Sequence, residues 1–298
     1  MSKIRMPMGE RVGKIIMVVI LCLMAFAALY PFLYVFAMSI SAPEHVLRRD
    51  VYLYPKGIGL QGYTLVFSNK NIWLSYANTI FYTLTGTCLN VAMTVLAAYP
   101  LSREKFVLRR PLSLFITFTM FFGGGMIPFF IVISRLGLYN TRWAVLIPFA
   151  VSAWNIIIAR TFYEGIPEAL IESATVDGAG NMTTLVKIVL PLSMPIVAVI
   201  ALYYLVGHWN AYFNALIYLS NEKLYPLQLF LRNILLMDQM TEMMEGDSEA
   251  LQALMRRLQL KESMKYGIVV LSSLPVLVIY PFLQKYFVKG MMIGAIKG

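Results

Sequence analysis

The residues of this chain that invite a chemical interpretation lie in one polar stretch, Gly165–Pro195, which reads GIPEALIESATVDGAGNMTTLVKIVLPLSMP. Pro167 suits the first turn of a helix. Glu168 and Glu172 then lie four residues apart on one helical face, near the positive end of that helix. This placement of two acids favours a contact with a basic partner.

A glycine turn follows these two acids. Asp177-Gly178 ends the first helix, and Gly180-Asn181 extends the turn. A second helical stretch, about 182–190, comes next. The pattern predicts a helix, a turn and a helix lying at a membrane surface, although an ordinary pair of surface helices with a solvated acidic face has the same composition.

Nothing in the sequence indicates a catalytic or metal centre. His208 is the only titratable side chain in the apolar windows besides tyrosine and cysteine, and we interpret it as a packing residue, with a ligand or pH-switch role as the alternative. Cys22 and Cys88 lie in apolar runs and indicate neither a disulfide framework nor a thiolate metal site. No phosphate-binding loop is present, and the triple glycine 123–125 lacks a following lysine. If energy is used, another subunit supplies it.

The elements that must carry the polar stretch are apolar helices. Of 298 residues, 59% are hydrophobic and only 13% are charged, whereas ordinary globular domains are about a quarter charged. This composition excludes a soluble fold and a disordered chain. Windows apolar on all sides favour helices over membrane strands. The predicted spans, each near the length that crosses a core of roughly 30 Å, are about 15–38, 76–101, 112–133, 143–160, 192–219 and 266–285.

The first window has an alternative interpretation as a signal peptide. Four basic residues precede it, and Ala25-Phe26-Ala27 has the small residues of a cleavage site. A cleaved signal has an apolar region of only about 7–15 residues, and this run continues to Met38. We therefore predict an uncleaved first helix.

Basic residues in the short connections set the predicted orientation. The N-terminal arm and the link 102–111 carry four each, and three more follow the last window. The opposite connections are longer and also hold nine acids. The positive-inside rule therefore places both termini in the cytoplasm. The net charge of +10 fits anionic lipid at that face and is no evidence for nucleic acid.

The spacing within 165–195 resembles that of the membrane subunits of binding-protein-dependent ABC importers. Their motif is E-A-A, three residues, G, nine residues, then I-x-L-P. Glu172, Ala174 and Gly178 occupy the matching positions here, followed by Ile188-Val189-Leu190-Pro191. The one departure is Ser173, which replaces a small residue by another.

Three further stretches resemble the maltose-type carbohydrate-uptake permeases, specifically the six-span partner of a heterodimer. They are KGMMIGAIKG at 289–298, GHWNAYFN at 207–214 and GGGMIP at 123–128. The last of these resembles the subgroup of permeases that moves oligosaccharides released from complex polysaccharides. The resemblance implies a single permease domain over 1–298. Its fold would be all-α, with six transmembrane helices and a cytoplasmic helix-turn-helix coupling loop, the type I ABC importer permease fold.

The resemblance also implies what the chain does. It would be a non-catalytic permease in a bacterial plasma membrane that translocates oligosaccharides. Its partners would be a second permease, two copies of an ABC ATPase, an extracellular solute-binding lipoprotein and membrane lipid. It would carry no cofactor of its own, since ATP and Mg belong to the ATPase.

Two other function classes are weighed against this one. A permease for a non-sugar solute is the nearest rival within the family. A self-contained carrier or channel is a different class, and the lack of Asp, Glu, Lys and Arg within the apolar windows argues against an ion-coupled carrier. A membrane enzyme lacks any candidate constellation.

In the family, the loop 164–191 docks into a groove of the ATPase. Small residues permit close docking, Glu172 pairs with a basic group there, and Asp177 caps the second helix or faces the same groove. A frayed terminus is the alternative for the tail 294–298. The residues to which the resemblance gives a coupling role are Glu168, Glu172, Ser173, Ala174, Asp177, Gly178, Ala179, Lys297 and Gly298.

Sugar recognition needs aromatic faces for the rings and amides or hydroxyls for the sugar hydroxyls. Interhelical hydrogen bonding and interfacial anchoring are the alternatives, and in the maltose-type pair the other permease makes most sugar contacts. The candidates for the substrate path are Tyr203, Tyr204, Trp209, Asn210, Tyr212 and Asn214, with Trp154 and Asn155 in the preceding window.

The segment 220–265 is predicted to be extracellular and is long for a connection between helices. Its second half, 247–265, has apolar residues at helical spacing, which predicts an amphipathic helix. In maltose-type permeases the corresponding loop enters the cleft of the sugar-binding protein, and a solvated loop is the alternative. The candidate contact residues are Asn221, Tyr225, Gln228 and Asn233.

Overall fold

A computed structural model describes residues 8–237 and 248–295 of the chain. The protein is 79% helical, and within those ranges its extended structure is limited to one isolated bridge between Ser41 and Ile58. The predicted all-helical class is confirmed.

The helices are numbered here in chain order. They are α1 (Met8–Ser39), α2 (Pro43–Arg48), α3 (Gln61–Ser68), α4 (Lys70–Ser102), α5 (Arg109–Phe121), α6 (Met126–Arg135), α7 (Ala153–Glu164), α8 (Glu168–Val176), α9 (Asn181–Thr184), α10 (Leu190–Leu192), α11 (Met194–Trp209), α12 (Phe213–Tyr218), α13 (Leu227–Met237) and α14 (Ser248–Ala295). Short 3₁₀ turns occupy Arg142–Val145, Ile147–Phe149 and Glu222–Leu224, and a π-helical turn covers Leu185–Val189.

The described residues group into two compact units. One is drawn from Met1–Asn69 and Ile234–Ser272, and the other from Lys70–Asn233 and Ser273–Gly298. Each unit is treated separately below. The single permease domain over 1–298 stays a prediction.

The first unit contains α1 to α3 and the leading part of α14. Its small core consists of Ala37, Met38, Val46 and Val51. Helix α3 packs very closely on α14, because a Cβ at Gly62 would lie 2.5 Å from the carbonyl oxygen of Ser263. The apolar length of α1 is not buried by the rest of the described chain.

The second unit is built around α4, which packs along α7 and α11. Its core joins residues of α4, α7, α8, the π turn and α11 in one cluster. The most deeply buried members are Ala98, Ala159, Tyr163 and Val189, each 0% exposed. The polar stretch of the sequence therefore packs on the same core as the membrane helices.

Three of the predicted spans correspond to continuous helices that are long and apolar enough to cross a membrane, Gly9–Ser39, Lys70–Ser102 and Leu258–Ile279. Three further helix pairs pass the same test only when each bent pair is taken together, so the described chain has up to six spans. The bent pairs fall in the regions of the third, fourth and fifth windows.

The third window, 112–133, is two helices rather than one. The axes of α5 and α6 are bent by 116°. The break lies at the triple glycine, where Gly125 adopts a φ of +82° that L side chains rarely take. The bend divides the third window into two separate helices.

The fourth and fifth windows are also interrupted. In 143–160 the chain makes 3₁₀ turns around Pro148 and becomes α-helical only at Ala153. In 192–219, α11 ends at Trp209 and α12 begins at Phe213. These interruptions place polar backbone within apolar sequence, which proteins tolerate at membrane depth where the backbone is covered by other protein or lines a cavity.

The amphipathic helix predicted over 247–265 is the beginning of α14, which continues without a break to Ala295. Between Ser248 and Pro275 the sequence has no proline and one glycine, Gly267. This glycine faces Val66 and Tyr63 across a close helix contact. The helix is therefore continuous with the last predicted span, where the sequence analysis placed a boundary.

Candidate functional site

The polar stretch folds as the predicted helix, turn and helix. Helix α8 follows Pro167, and its C-terminal end is closed by two backbone hydrogen bonds. The Ala179 N–H donates to the Ala174 carbonyl at 2.9 Å, and the Gly178 N–H donates to the Thr175 carbonyl at 3.0 Å. Gly178 has a φ of +78°. This is a Schellman motif, in which the left-handed position favours glycine.

The second helix of the loop starts without a side-chain cap. Its N-cap residue is Gly180, so the predicted capping by Asp177 is wrong, and Asp177 is the exposed C-cap residue of α8. The helix runs through α9, the π turn and α10 to Leu192. Pro191 has no N–H to donate to the Lys187 carbonyl, and this missing bond accounts for the π-helical turn at Leu185–Val189.

One face of the loop is built into the core of the second unit. Ile171 is 8% exposed, Leu185 is 3% exposed and Val189 is fully buried, all in the cluster that contains Tyr99 of α4 and Ile200 of α11. The loop thus shares a core with α4 and α11.

The other face of the loop is exposed and partly apolar. Glu172, Ser173 and Gly178 are exposed, and Ala179 is partly exposed. Apolar side chains flank them, and their exposed fractions are 42% for Leu170, 87% for Val176, 62% for Met182 and 57% for Val186. Large apolar side chains grouped in this way mark an interaction surface.

Acidic residues of α7 and α8 pair with the basic link 102–111. Glu164 accepts from Arg109 Nη2 at 2.5 Å and from Arg160 Nε at 2.9 Å. Glu172 lies 3.6 Å from Lys105 Nζ, where both side chains are more than half exposed. The link and the coupling loop therefore lie at the same end of the second unit.

The third pair has a largely covered cation and a half-exposed acid. Arg103 is 12% exposed and Glu168 is 47% exposed, and Arg103 Nη1 lies 3.3 Å from Glu168 Oε2. Arg103 Nη2 donates to the Tyr163 carbonyl at 2.7 Å, and its Nε donates to Ser102 Oγ at 3.0 Å. One guanidinium thus contacts α4, α7 and α8.

The structure assigns the predicted coupling residues to different surroundings. Ala174 is 6% exposed and packs within its own chain, so it does not offer the surface predicted for it. Glu168 binds Arg103 of the same chain. Lys297 and Gly298 lie outside the described residues.

A cavity of about 210 Å³ lies within the second unit, between α4 and α11. Its polar lining consists of tyrosine, asparagine and histidine side chains, a combination that hydrogen-bonds neutral hydroxyls. Its lining residues are Tyr82, Asn90, Val145, Phe149, Tyr203, Tyr204, Gly207, His208, Ala211, Asn214, Ala215 and Pro226.

Hydrogen bonds between helices fix the polar side chains of this cavity. Asn90 Oδ1 lies 3.0 Å from His208 Nε2, and Asn90 Nδ2 donates to the Phe149 carbonyl at 2.6 Å. Thr94 Oγ1 and Tyr204 OH lie 2.9 Å apart. His208 therefore has the predicted packing contact and also lines the cavity.

Three of the predicted substrate-path residues line the cavity, namely Tyr203, Tyr204 and Asn214. The other five do not. Trp209 and Asn155 are buried outside the cavity lining, and Tyr212 and Trp154 are exposed. The Asn210 side chain donates to the Val206 carbonyl of the preceding helix α11. Their contact with sugar stays a prediction.

The part that α4 plays in lining the cavity was not predicted from the sequence. Asn78, Tyr82, Gly86, Asn90 and Thr94 recur every four residues and form one stripe along the helix. Their period of four in an otherwise apolar run was a detectable signal, since residues at i and i+4 share a helical face.

The N-terminal end of this stripe holds the segment 223–227. Asn78 Nδ2 donates to the carbonyls of Lys223 and Tyr225 at 2.7 and 3.2 Å. Tyr82 OH donates to the Leu224 carbonyl at 2.8 Å. This part of the predicted contact loop is consequently fixed to α4.

The four candidate contact residues differ in exposure. Asn221 is exposed, and its side chain accepts from the Lys223 N–H at 3.0 Å. Tyr225, Gln228 and Asn233 are only partly exposed. Their contact with a binding protein stays a prediction.

The comparison with known proteins decides the family. A family described as "Binding-protein-dependent transport system inner membrane component" matches residues 90–293, which include the cavity helices and the coupling loop. The chain belongs to this family. The resemblance inferred from its motifs is confirmed.

Two curated relatives from Bacillus subtilis (strain 168) cover most of the chain. The polygalacturonan/rhamnogalacturonan transport system permease protein YtcP is 36% identical over 98% of this chain and 100% of its own length. Protein LplC is 37% identical over 90% of this chain and 89% of its own.

A solved structure has the same fold. Its title is "Crystal structure of a bacterial ABC transporter involved in the import of the acidic polysaccharide alginate", and the matching chain is 37% identical, with a TM-score of 0.86 over 96% of this chain and 100% of that one. The type I ABC importer permease fold is therefore confirmed.

Membership of the family establishes a general role. The protein is a multi-pass membrane permease, a transport subunit rather than an enzyme, and such permeases work with a partner permease, an ATPase and a solute-binding protein.

Proposed function

We propose that this chain is one of two different permeases in an ABC importer for oligosaccharides, delivered by an extracellular solute-binding lipoprotein in a bacterial plasma membrane. Two ATPase subunits drive it, and they bind the ATP and Mg. This chain carries no cofactor. The observation behind the proposal is the loop 164–191, whose inner face is built into the core while its outer face exposes Glu172 beside apolar side chains.

The exposed face of the loop docks on the ATPase. The groove of the ATPase covers Leu170, Val176 and Met182, which removes apolar area from water at about 25 cal/mol per Å². Glu172 pairs there with a basic group, because its bond to Lys105 is long and solvated and easily exchanged. Closure of the ATPases then moves α8.

The orientation of the chain follows from the same surface. The basic link 102–111 lies beside α8 and the end of α7, as two ion pairs to α8 and one to α7 show. Both belong on the cytoplasmic side by the positive-inside rule, so both termini are cytoplasmic. The tail that contains Lys297 and Gly298 reaches the ATPases.

The substrate is an oligosaccharide, and an acidic one. One relative is named for polygalacturonan and rhamnogalacturonan, and the solved structure for alginate. The cavity supports a sugar as the substrate, because its lining has aromatic, amide and imidazole groups that suit sugar rings and hydroxyls. The acidic character of the sugar is proposed from these two similar proteins. Tyr203, Tyr204 and Asn214 are the residues we assign to the sugar path.

The first test is purification of the tagged chain together with whatever binds it. Recovery of a second permease and an ATPase supports the proposal. Glu172→Lys should remove most of the ATPase and Glu172→Ala only part of it, because only lysine places a like charge against the basic groove. Glu104→Lys is the matched control, since Glu104 is an exposed acid at the same end of the unit and its reversal should leave the ATPase bound.

The second test is uptake of labelled sugars into proteoliposomes that contain the whole complex and its binding protein. Oligogalacturonides should be taken up, and neutral malto-oligosaccharides of equal length should not. A chain that purifies alone and is unaffected by Glu172→Lys would refute the importer, whereas uptake of only the neutral sugar would refute the acidic substrate alone.

A further inference from the structure

Arg103 directly follows α4 and contacts three helices, α4, α7 and α8. Arg103 donates to the carbonyl of Tyr163 at 2.7 Å, to Ser102 Oγ at 3.0 Å and to Glu168 Oε2 at 3.3 Å. Its guanidinium also lies 5.4 Å from the centre of the Tyr99 ring. Hydrogen bonds to charged groups contribute more than neutral ones, and a planar guanidinium fixes their directions.

The neighbouring pairs of the link are not equivalent to this one. Lys105 and Glu172 are 82% and 60% exposed and 3.6 Å apart, so their pairing is weak. Arg109 contacts Glu164 at the end of α7 and does not reach α8. Arg103 is 12% exposed and Glu168 is 47% exposed. Of the two ion pairs that join the described link 102–111 to α8, this one has the less exposed cation and also bonds α4 and α7.

The connection between α7 and α8 needs such a clamp. Gly165–Pro167 separates the two helices, and Pro167 prevents them from joining. The Tyr163 carbonyl lies in the last turn of α7, where carbonyls lack helical partners, and it receives the Ile166 N–H at 3.2 Å as well as Arg103. The guanidinium therefore bonds both the last turn of α7 and the first turn of α8, beside the apolar packing of Ile166 and Ile171.

Helix α4 continues from this clamp to the cavity. Thr94 and Asn90 of α4 lie nine and thirteen residues before Arg103, and they hydrogen-bond to Tyr204 and His208. At 1.5 Å per residue this is a distance of about 14–20 Å.

We propose that Arg103 is the positioning residue that couples α8 to α4. Its bond to Glu168 makes the coupling helix, the end of α7 and α4 move together, so that displacement of α8 reaches the residues around the cavity. Glu168 acts within this chain and does not contact the ATPase. The inference rests on the proposed function, because it assumes that an ATPase moves α8.

The experiment compares the complete complex, reconstituted in nanodiscs, with and without the binding protein and its sugar. Three quantities are measured: the ATPase retained on purification, its basal hydrolysis rate, and the factor by which the loaded binding protein raises that rate. Arg103→Met keeps the apolar stem over Tyr99 and removes the charge, and Glu168→Ala removes the acceptor while Arg103 keeps its other bonds.

Both variants should retain the ATPase and its basal rate, and each should lower the stimulation factor about fivefold or more, the scale of a typical coupling between sites. The double variant should be no worse than either single one, since both remove the same contact. Arg110→Met removes an exposed charge from the same link and should leave stimulation unchanged.

Two results would overturn the inference. One is unchanged stimulation in Glu168→Ala and Arg103→Met. The other is a parallel loss of bound ATPase and basal rate in both variants, which would mean a structural role or a direct contact of Glu168 with the ATPase. A wild-type complex that shows no stimulation would instead refute the proposed function, and that measurement comes first.

Discussion

Two positions in this protein, 178 and 86, require glycine for different physical reasons. Gly178 needs a left-handed backbone, with a φ of +78° and open space around its Cα. Gly86 has ordinary helical geometry but no room, because a Cβ there would lie 2.5 Å from His208 Nε2. The first glycine closes α8 and the second permits α4 and α11 to approach.

Gly178→Ala should weaken docking of the ATPase. An L side chain in the left-handed region costs about 1–2 kcal/mol, and the turn would relax at the exposed end of α8. Retained ATPase after purification of the complex measures this effect. Gly180→Ala is the control, because Gly180 has a φ of −74° and equally open surroundings, and equal losses in both variants would contradict the explanation.

Gly86→Ala should destabilise the protein by about 1–3 kcal/mol, the usual cost of overpacking a core. The melting temperature of the purified complex measures it. His208→Ala in the same chain removes the ring that the new methyl group meets, so the double variant should be more stable than the sum of the two single losses predicts. Additive losses would show that the clash is not with His208.

At the scale of elements, α4 joins three sites. The N-terminal half of α4 holds the segment 223–227, its middle lines the cavity, and Arg103 follows its C-terminal end. The stripe Asn78 to Thr94 explains how an apolar helix can do this, because its polar groups are buried but paired with backbone and side chains of other elements.

Asn78→Ala should loosen the segment 223–227 without unfolding α4. Two carbonyls lose their donor, and each net hydrogen bond is worth about 0.5–1.5 kcal/mol. Hydrogen exchange of the amides of residues 223–227 should become faster. Asn210→Ala is the comparison, because Asn210 donates only along its own helix and its removal should not change exchange in that segment.

The sequence predicted some elements and missed others for identifiable reasons. Uncharged length located the apolar helices, and Gly178 located the coupling turn, since both depend on local composition. The break after Trp209 and the continuity of α14 were missed, because they depend on what packs against the chain. The break at Gly125 was missed although its cause is local, a positive φ at a glycine. Ala174 was assigned to a docking surface because its burial within the chain depends on tertiary packing.

The candidate site shows the same division. Glu172, Gly178 and Ala179 were predicted from spacing and lie wholly or partly exposed on the loop as expected. The cavity residues of α4 were missed, although their spacing of four was visible. Their partners could not be predicted, since Asn90 bonds Phe149 and His208, which lie 59 and 118 residues later in the chain.

At the scale of the whole molecule, the exposed apolar length of α1 indicates that the chain is incomplete by itself. In its apolar stretch, Leu23 and Met24 are each 64% exposed and Met17 is 61% exposed. Lipid covers part of such a surface, and the proposed second permease covers the rest.

The chain reconstituted alone should therefore transport nothing and should accumulate poorly in cells. Co-expression with the partner permease should raise its membrane level, measured by immunoblot of the tagged chain. Co-expression with an unrelated six-span permease is the control. An equal level in both cases, together with sugar uptake by the chain alone, would indicate a self-contained carrier.

The continuity of α4 has a consequence for the exchange of parts among related permeases. A helix turns by 100° with each residue, so inserting or deleting one residue between Asn78 and Arg103 would rotate one end of the stripe away from its partners. The three contact sites of α4 lie at fixed angles to one another around the helix, and only a fixed number of residues preserves those angles. Chimeras between this chain and its relatives should accordingly work when their junctions lie outside 78–103, and fail when a junction inside that range alters its length.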